Sequence, residues 1–185
     1  MAFIIVNNNV VGYADFEDIQ DADQRLFEAN EILFDNAPGN PQTLDEYLDD
    51  LSIKSTDRIN QKIRSSESWR QYLLNTGQTY DEMEIPAINP NRILSRKQDF
   101  TDMCVYYVFK EFLLPKIADF GNPESPELQK MKYYEVKFND LFTELTSMWD
   151  WYDADGDGTV ESSEKLIKPQ SHRRSRARRS VVYAR

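Results

Sequence analysis

The 185-residue chain predicts an all-α fold: an antiparallel helical bundle of about four long helices. A small β-like arm precedes it, and an acidic glycine-containing loop and an extended basic tail follow. Three observations carry this expectation. Apolar residues recur at three- and four-residue spacings over most of the chain. Helix start signals precede several of those runs, and proline- and glycine-containing breaks separate them. The divisions expected are an arm at 1–14, a helical body at 15–152, the loop at 153–164 and the tail at 165–185.

Residues Phe3 to Tyr13 are rich in Ile and Val around Asn7-Asn8-Asn9. Asparagine tolerates left-handed backbone, so either a small hairpin or a frayed terminus fits. From Asp15 the period becomes helical: Ile19, Ala22, Leu26, Ala29 and Leu33 form one stripe through Phe34. The segment Asn36-Ala37-Pro38-Gly39-Asn40-Pro41 breaks it. Thr43-Leu44-Asp45-Glu46 is a capping box. The helix it opens places Leu44, Tyr47, Leu48, Leu51, Ile59 and Ile63 on one side, with a kink expected at Ser65-Ser66 before Trp69, Tyr72 and Leu73.

Residues 75–91 carry Gly77, Pro86 and Pro90 and show no period, as an irregular connection would. Ser95-Arg96-Lys97-Gln98 offers a second capping box. Beyond it Phe100, Met103, Cys104, Tyr107, Phe109, Phe112 and Leu113 make a helix apolar over most of its girth, central in the fold or facing another subunit, with Pro115 kinking its end. Ser125-Pro126 is an N-cap followed by proline in the first helical position. The last helix has the seam Met131, Tyr134, Phe138, Leu141, Leu145, Met148 and Tyr152, and is expected to run straight into the acidic loop.

That loop, residues 153–164, has the spacing of a complete calcium-binding loop. Asp153, Asp155, Asp157, Glu161 and Glu164 stand at positions one, three, five, nine and twelve, and the backbone carbonyl of Thr159 stands at seven. Gly158 occupies the sixth position, where the chain must turn sharply. Plain acidic turns share this composition, and calcium loops usually work in pairs, whereas this chain has one. Lys165-Leu166-Ile167-Lys168 is followed by Pro169, which stops an exiting helix within about one turn. A sensor needs a second helix to swing open. A structural Ca2+ that pins the end of the last helix is therefore the expected use.

The net charge of -10 conceals a division. Residues 165–185 hold eight of the 22 basic residues and no acidic one, leaving 14 against 32 in residues 1–164, a charge of -18. The body should disfavour nucleic acid, and the tail should favour anionic partners. Arg173, Arg174, Arg176, Arg178 and Arg179 are the candidate contacts, and Val181, Val182 and Tyr183 form a short β-prone hook at the tip. Docking on an acidic protein surface and a disordered tail without a partner are the main readings, and phosphate contact by the arginines is the lesser one, because one aromatic and no neighbouring basic fold argue against base recognition.

Enzyme chemistry is not expected. The chain has no phosphate-cradling glycine loop and no GxSxG motif, and its one histidine, His172, lies in the basic tail. Carboxylates such as Asp45, Asp49 and Asp50 read as a solvated helix face. The single cysteine, Cys104, excludes an internal disulfide. Ala2 to Val6 is too short for a signal peptide, and no run approaches a membrane span, so a soluble protein made in a reducing cytoplasm is expected.

The order of parts resembles the head–tail connector, or adaptor, proteins of tailed bacteriophages. An Asp-rich first helix (Asp18-Ile19-Gln20-Asp21-Ala22-Asp23-Gln24-Arg25) is followed by Ser55-Thr56-Asp57-Arg58-Ile59 and Trp69-Arg70-Gln71-Tyr72. Tyr106-Tyr107-Val108 lies in a central helix, Tyr133-Tyr134 begins the last, and Asp150-Trp151-Tyr152-Asp153 ends it. The likeness is one of pattern over residues 15–164, and the calcium loop is an addition to it. It implies a structural virion protein that forms a homo-oligomeric ring at the neck, between the portal and other neck or tail components, after assembly in the host cytoplasm. Stopper and tail-completion proteins of the same neck, and a free-standing calcium-binding protein, are the alternatives. Under the resemblance Trp69, Trp149 and Trp151 would be exposed interface anchors.

Overall fold

The computed structural model describes residues 3–34, 43–77, 81 and 84–160. The fold is mostly helical, with a small two-stranded antiparallel sheet at its N-terminal end. Strands β1 (Ile4–Val6) and β2 (Asn9–Gly12) pair Ile5 with Val10 and Val6 with Asn9. Asn7 and Asn8 link them with φ of 53° and 64°, the left-handed pair that a tight two-residue hairpin turn requires. The N-terminal segment is therefore a hairpin. It is also part of the body, because Tyr13 and Ala14 behind it are fully buried.

Helix α1 (Phe16–Ala22) starts in a reciprocal cap between Asp15 and Asp18. The single first helix expected from the apolar stripe is two: the backbone leaves helical geometry at Asp23, and α2 (Gln24–Phe34) follows. Asp23 is a weak helix former, and its carboxylate is held instead by Lys130 of the last helix. Leu26 and Phe27 still reach the core.

Helix α3 (Leu44–Ser65) uses the Thr43–Glu46 capping box and buries Leu48, Leu51, Ile59 and Ile63. Ser66 ends it and caps α4 (Glu67–Asn75), accepting from the Trp69 amide. The irregular connection that follows is anchored by Arg64 Nε to Ile85 O (2.6 Å) and Trp69 Nε1 to Pro86 O (2.9 Å), before a 3₁₀ turn at Pro90–Arg92.

Helix α5 (Lys97–Val108) is central and packs against α1, α3 and the last helix. The second capping box does not form: the Ser95 hydroxyl donates to Asp150 O (2.7 Å), and left-handed Arg96 (φ 55°) occupies the cap without a side-chain bond. Arg96 gains more elsewhere. It pairs with Asp99, Glu144 and Asp150, tying the start of α5 to the end of the last helix. A π-helical turn, Phe109–Leu113, leads into α6 (Leu114–Ile117). Pro115 has no amide hydrogen, and its ring would crowd the carbonyl four residues back. The wider turn just before it relieves that conflict.

Helix α7 (Pro126–Met148) starts at Ser125-Pro126 and buries Tyr134, Phe138 and Leu145. It does not run into the acidic loop. Trp149, left-handed at φ 52°, terminates it, and an extended stretch to Tyr152 intervenes. Tyr152, expected on the helical seam, lies in that stretch.

The three tryptophans are not exposed anchors: Trp69, Trp149 and Trp151 are 1%, 0% and 0% exposed. Tyr72 stacks on Trp149 at 4.5 Å, Trp149 on Trp151 at 5.0 Å, and Phe100 meets Trp151 edge-on at 4.6 Å. Rings of this size contribute most when wholly removed from water, and they cement α4, α5 and the end of α7 into one core. Cys104 is buried as expected, and burial pushes its thiol up to about 11.

Tyr13 and Ala14 lie inside the protein beyond the hairpin ladder, so their peptide groups need other partners. Side chains of α3 and α5 supply them. Thr56 Oγ1 accepts from Tyr13 N–H (3.0 Å), Thr101 Oγ1 donates to Tyr13 O (2.7 Å), and Ser52 Oγ donates to Ala14 O (2.5 Å). Asp49 Oδ1 accepts from Phe16 N–H at 2.9 Å. Thr56→Val keeps the shape and removes the acceptor for a fully buried amide, so it should destabilise by about 1–3 kcal/mol. Urea unfolding measures this, and a loss under about 0.5 kcal/mol would contradict the role.

Candidate metal centre

The stretch from Trp149 to Ala154 reaches the acidic loop under close restraint. Ile93 bridges Tyr152 in antiparallel fashion, with Leu94 N–H donating to Trp151 O and Asp153 N–H to Arg92 O, both at 3.0 Å. Tyr72 OH donates to Tyr152 O (3.1 Å), and Trp151 Nε1 turns back to Leu145 O (2.9 Å). These bonds fix where Asp153 begins.

Asp153 is buried, at 3% exposure, while Asp155 and Asp157 are exposed. One carboxylate oxygen from each lies within 4.8 Å of the others, close enough for all three to hold one metal ion. Asp153 shapes the turn: its Oδ1 accepts from Gly156 N–H (2.6 Å) and its Oδ2 from Gly158 N–H (2.9 Å). Asp155 accepts from Asp157 N–H (3.1 Å), and Asp157 from both Thr159 N–H and Thr159 Oγ1–H (2.8 Å each). Gly156 and Gly158 have φ of 84° and 88°, a conformation that side chains resist. The donor set is all oxygen, which suits a hard cation.

The same bonds set the charge on Asp153. Partial desolvation pushes its carboxyl up, but the Gly158 and Gly156 amides, Asp155 and the Arg92 guanidinium outweigh this and hold it below the ordinary carboxylate value.

The calcium-loop spacing thus agrees with the structure at Asp153, Asp155, Asp157 and Gly158. Thr159 lies beside them with its side chain turned to Asp157. Glu161 and Glu164 lie outside the described residues, as do Arg173, Arg174, Arg176, Arg178, Arg179, Val181, Val182 and Tyr183. The expectation that an ion pins the end of α7 directly is corrected, since that end is closed by Trp149 and Trp151 instead.

Sequence reading missed Arg92. Its Nη1 donates to Ala154 O (2.7 Å), and a side chain at position 156 would meet its guanidinium at 3.0 Å. The neighbouring Asn91 accepts from Val10 N–H (2.8 Å) and donates to Asn9 Oδ1 (3.0 Å). The 3₁₀ turn therefore couples the loop to the N-terminal hairpin. Within Asn89-Pro90-Asn91-Arg92 no local pattern distinguishes these residues from an ordinary turn.

A carboxyl held low in the folded chain stabilises the fold above its unfolded value, about 3.9, and that contribution disappears as pH falls through the folded value. Asp153→Asn should therefore lower the melting temperature at about pH 6 and flatten its decline below about pH 4. Parallel melting profiles of the two proteins across that range would reject the assignment.

Comparison of the chain with family models, curated proteins and solved structures finds no match, so its relationships rest on its own residues.

Proposed function

We propose that the chain is a structural protein of a tailed-phage virion, a head–tail connector that forms a ring of copies between the portal and the tail or neck components. The helical body acts as a stiff block within that ring, and the acidic loop holds a Ca2+ ion that stabilises the block. The order of sequence segments supports the connector reading, as does the division between a body of charge -18 and a tail of charge +8. The tail arginines pair with carboxylates of neighbouring proteins. With the tryptophans buried, Phe120, Tyr133 and Val136, at 67%, 56% and 58% exposure, are among the apolar side chains open to neighbours.

The observation that carries the metal role is the bracing of the loop. Asp153 is bonded through its own amide to Arg92, and the turn around Arg92 is bonded to the hairpin. A loop held this way stiffens on binding an ion. The fit of Asp153, Asp155 and Asp157 to a hard cation, with Thr159, Glu161 and Glu164 completing the sphere, favours Ca2+.

Calcium added at about a hundred times its dissociation constant should stabilise the fold by about 2.7 kcal/mol. Binding of an apolar dye should not rise, and emission from the Trp149–Trp151 stack should shift little. A large emission change with new dye binding would favour a free-standing sensor and displace the structural role. For the connector role, cryo-electron microscopy of the particle neck should place the chain in a ring against the portal. Density elsewhere in the particle, or absence of the chain from purified particles, would refute it.

A further inference from the structure

We propose that the groove between α1, α5 and α7 receives the arginine-rich segment of a second copy of this chain. The inference rests on the ring-forming reading above and names the surface that would build the ring. Asp18 and Asp21 enter the groove from α1, Asp102 and Tyr106 from α5, and Tyr133 and Tyr134 from α7, around about 380 Å³ of space. Among the described residues no basic side chain lines it.

Three carboxylates here share one groove. Asp23, Asp99, Glu111 and Glu144 each pair with a lysine or arginine. Asp18, Asp21 and Asp102 make no ion pair among the described residues. Asp21 and Asp102 accept only glutamine amides, from Gln24 at 3.2 Å and Gln98 at 2.7 Å, and Asp18 closes the α1 cap. The groove is electrically negative. Burial and the charge of Asp15 push the Asp18 carboxyl up, and burial with the charge of Asp102 pushes the Tyr106 hydroxyl up.

Aromatic rings complete the site. Tyr134 is buried, Tyr133 stands beside it 56% exposed with ring centres 5.4 Å apart, and Tyr106 lies 5.9 Å from Tyr134. Carboxylates beside tyrosine faces suit a guanidinium, which forks onto the first and stacks on the second; an ammonium does neither as well. The tail matches this chemistry. From Pro169 to Arg185 its cations are six arginines and no lysine. Arg174, Arg176 and Arg178 alternate, so in an extended bound peptide they would fall on one side about 7 Å apart.

Length permits the contact. The 25 residues after Val160 can reach about 80 Å, and Met148 lies only about 21 Å along α7 from Tyr134. Groove and tail are different surfaces, so each copy would give its tail to one neighbour and take that of another. Such head-to-tail contacts close into rings.

The test is charge reversal in the full-length chain, followed by sedimentation. Asp21→Arg with Asp102→Arg reverses the groove without touching the Asp18 cap; R174E, R176E and R178E together reverse the tail. Circular dichroism checks that each variant is folded. Each variant alone should associate roughly a hundredfold or more weakly than wild type. An equimolar mixture should assemble again, because each variant's tail complements the other's groove and the copies can alternate, and both reversals in one chain should also restore assembly. A folded groove variant that assembles like wild type overturns the groove assignment and leaves the ring reading standing. A wild-type chain that is monomeric at every concentration, with its tail cross-linking to its own groove, overturns both.

Discussion

Two stretches of buried backbone, one near each end of the described chain, run outside any helix or hairpin ladder, and the fold depends on satisfying them. A peptide group taken out of water without a partner costs as much as several good contacts return. Around Tyr13 and Ala14 the partners are hydroxyls on α3 and α5. From Trp149 to Asp153 they are the backbone at Arg92 and Leu94 and the phenol of Tyr72. Both stretches converge on α5, whose Thr101 serves the first and whose Phe100 packs on the second. The central helix is thus the common support of hairpin and acidic loop.

This arrangement gives the candidate metal centre its character. Asp153 is held at its backbone and at both carboxylate oxygens, whereas the side chains of Asp155 and Asp157 bond, among the described residues, within the loop. One ligand is placed by the body of the protein and two by the loop itself. An ion joining them would link the loop to the core through Asp153, and through Arg92 to the hairpin.

Much of this was legible in the sequence wherever one residue type carries one physical job. Thr43 with Glu46 and Ser125 with Pro126 mark helix starts because few other residues satisfy those amides or fit that position. Asp153, Asp155, Asp157 and Gly158 were readable because calcium loops have a fixed spacing, and the fold brings the three carboxylates together. The rest depended on distant partners. Asp23 breaks a helical stripe where Lys130, far along the chain, pairs with it. Ser95 gives up its cap for Asp150, and the tryptophans look like surface anchors until their stacking partners are brought in by the fold. Arg92 acts through contacts 61 and 62 residues away, which no local pattern encodes.

The π-helical turn before Pro115 has a consequence for the phase of the helix around it. One additional residue in a turn rotates everything beyond it by about 100° relative to an unbroken α-helix. Leu113 and Leu114, at the end of that slip, both lie wholly inside. Removing a single residue between Phe109 and Leu113 would restore regular winding at the expense of that pairing. It would also drive the proline ring into the preceding turn. This stretch therefore tolerates exchange of side chains far better than any change in its length.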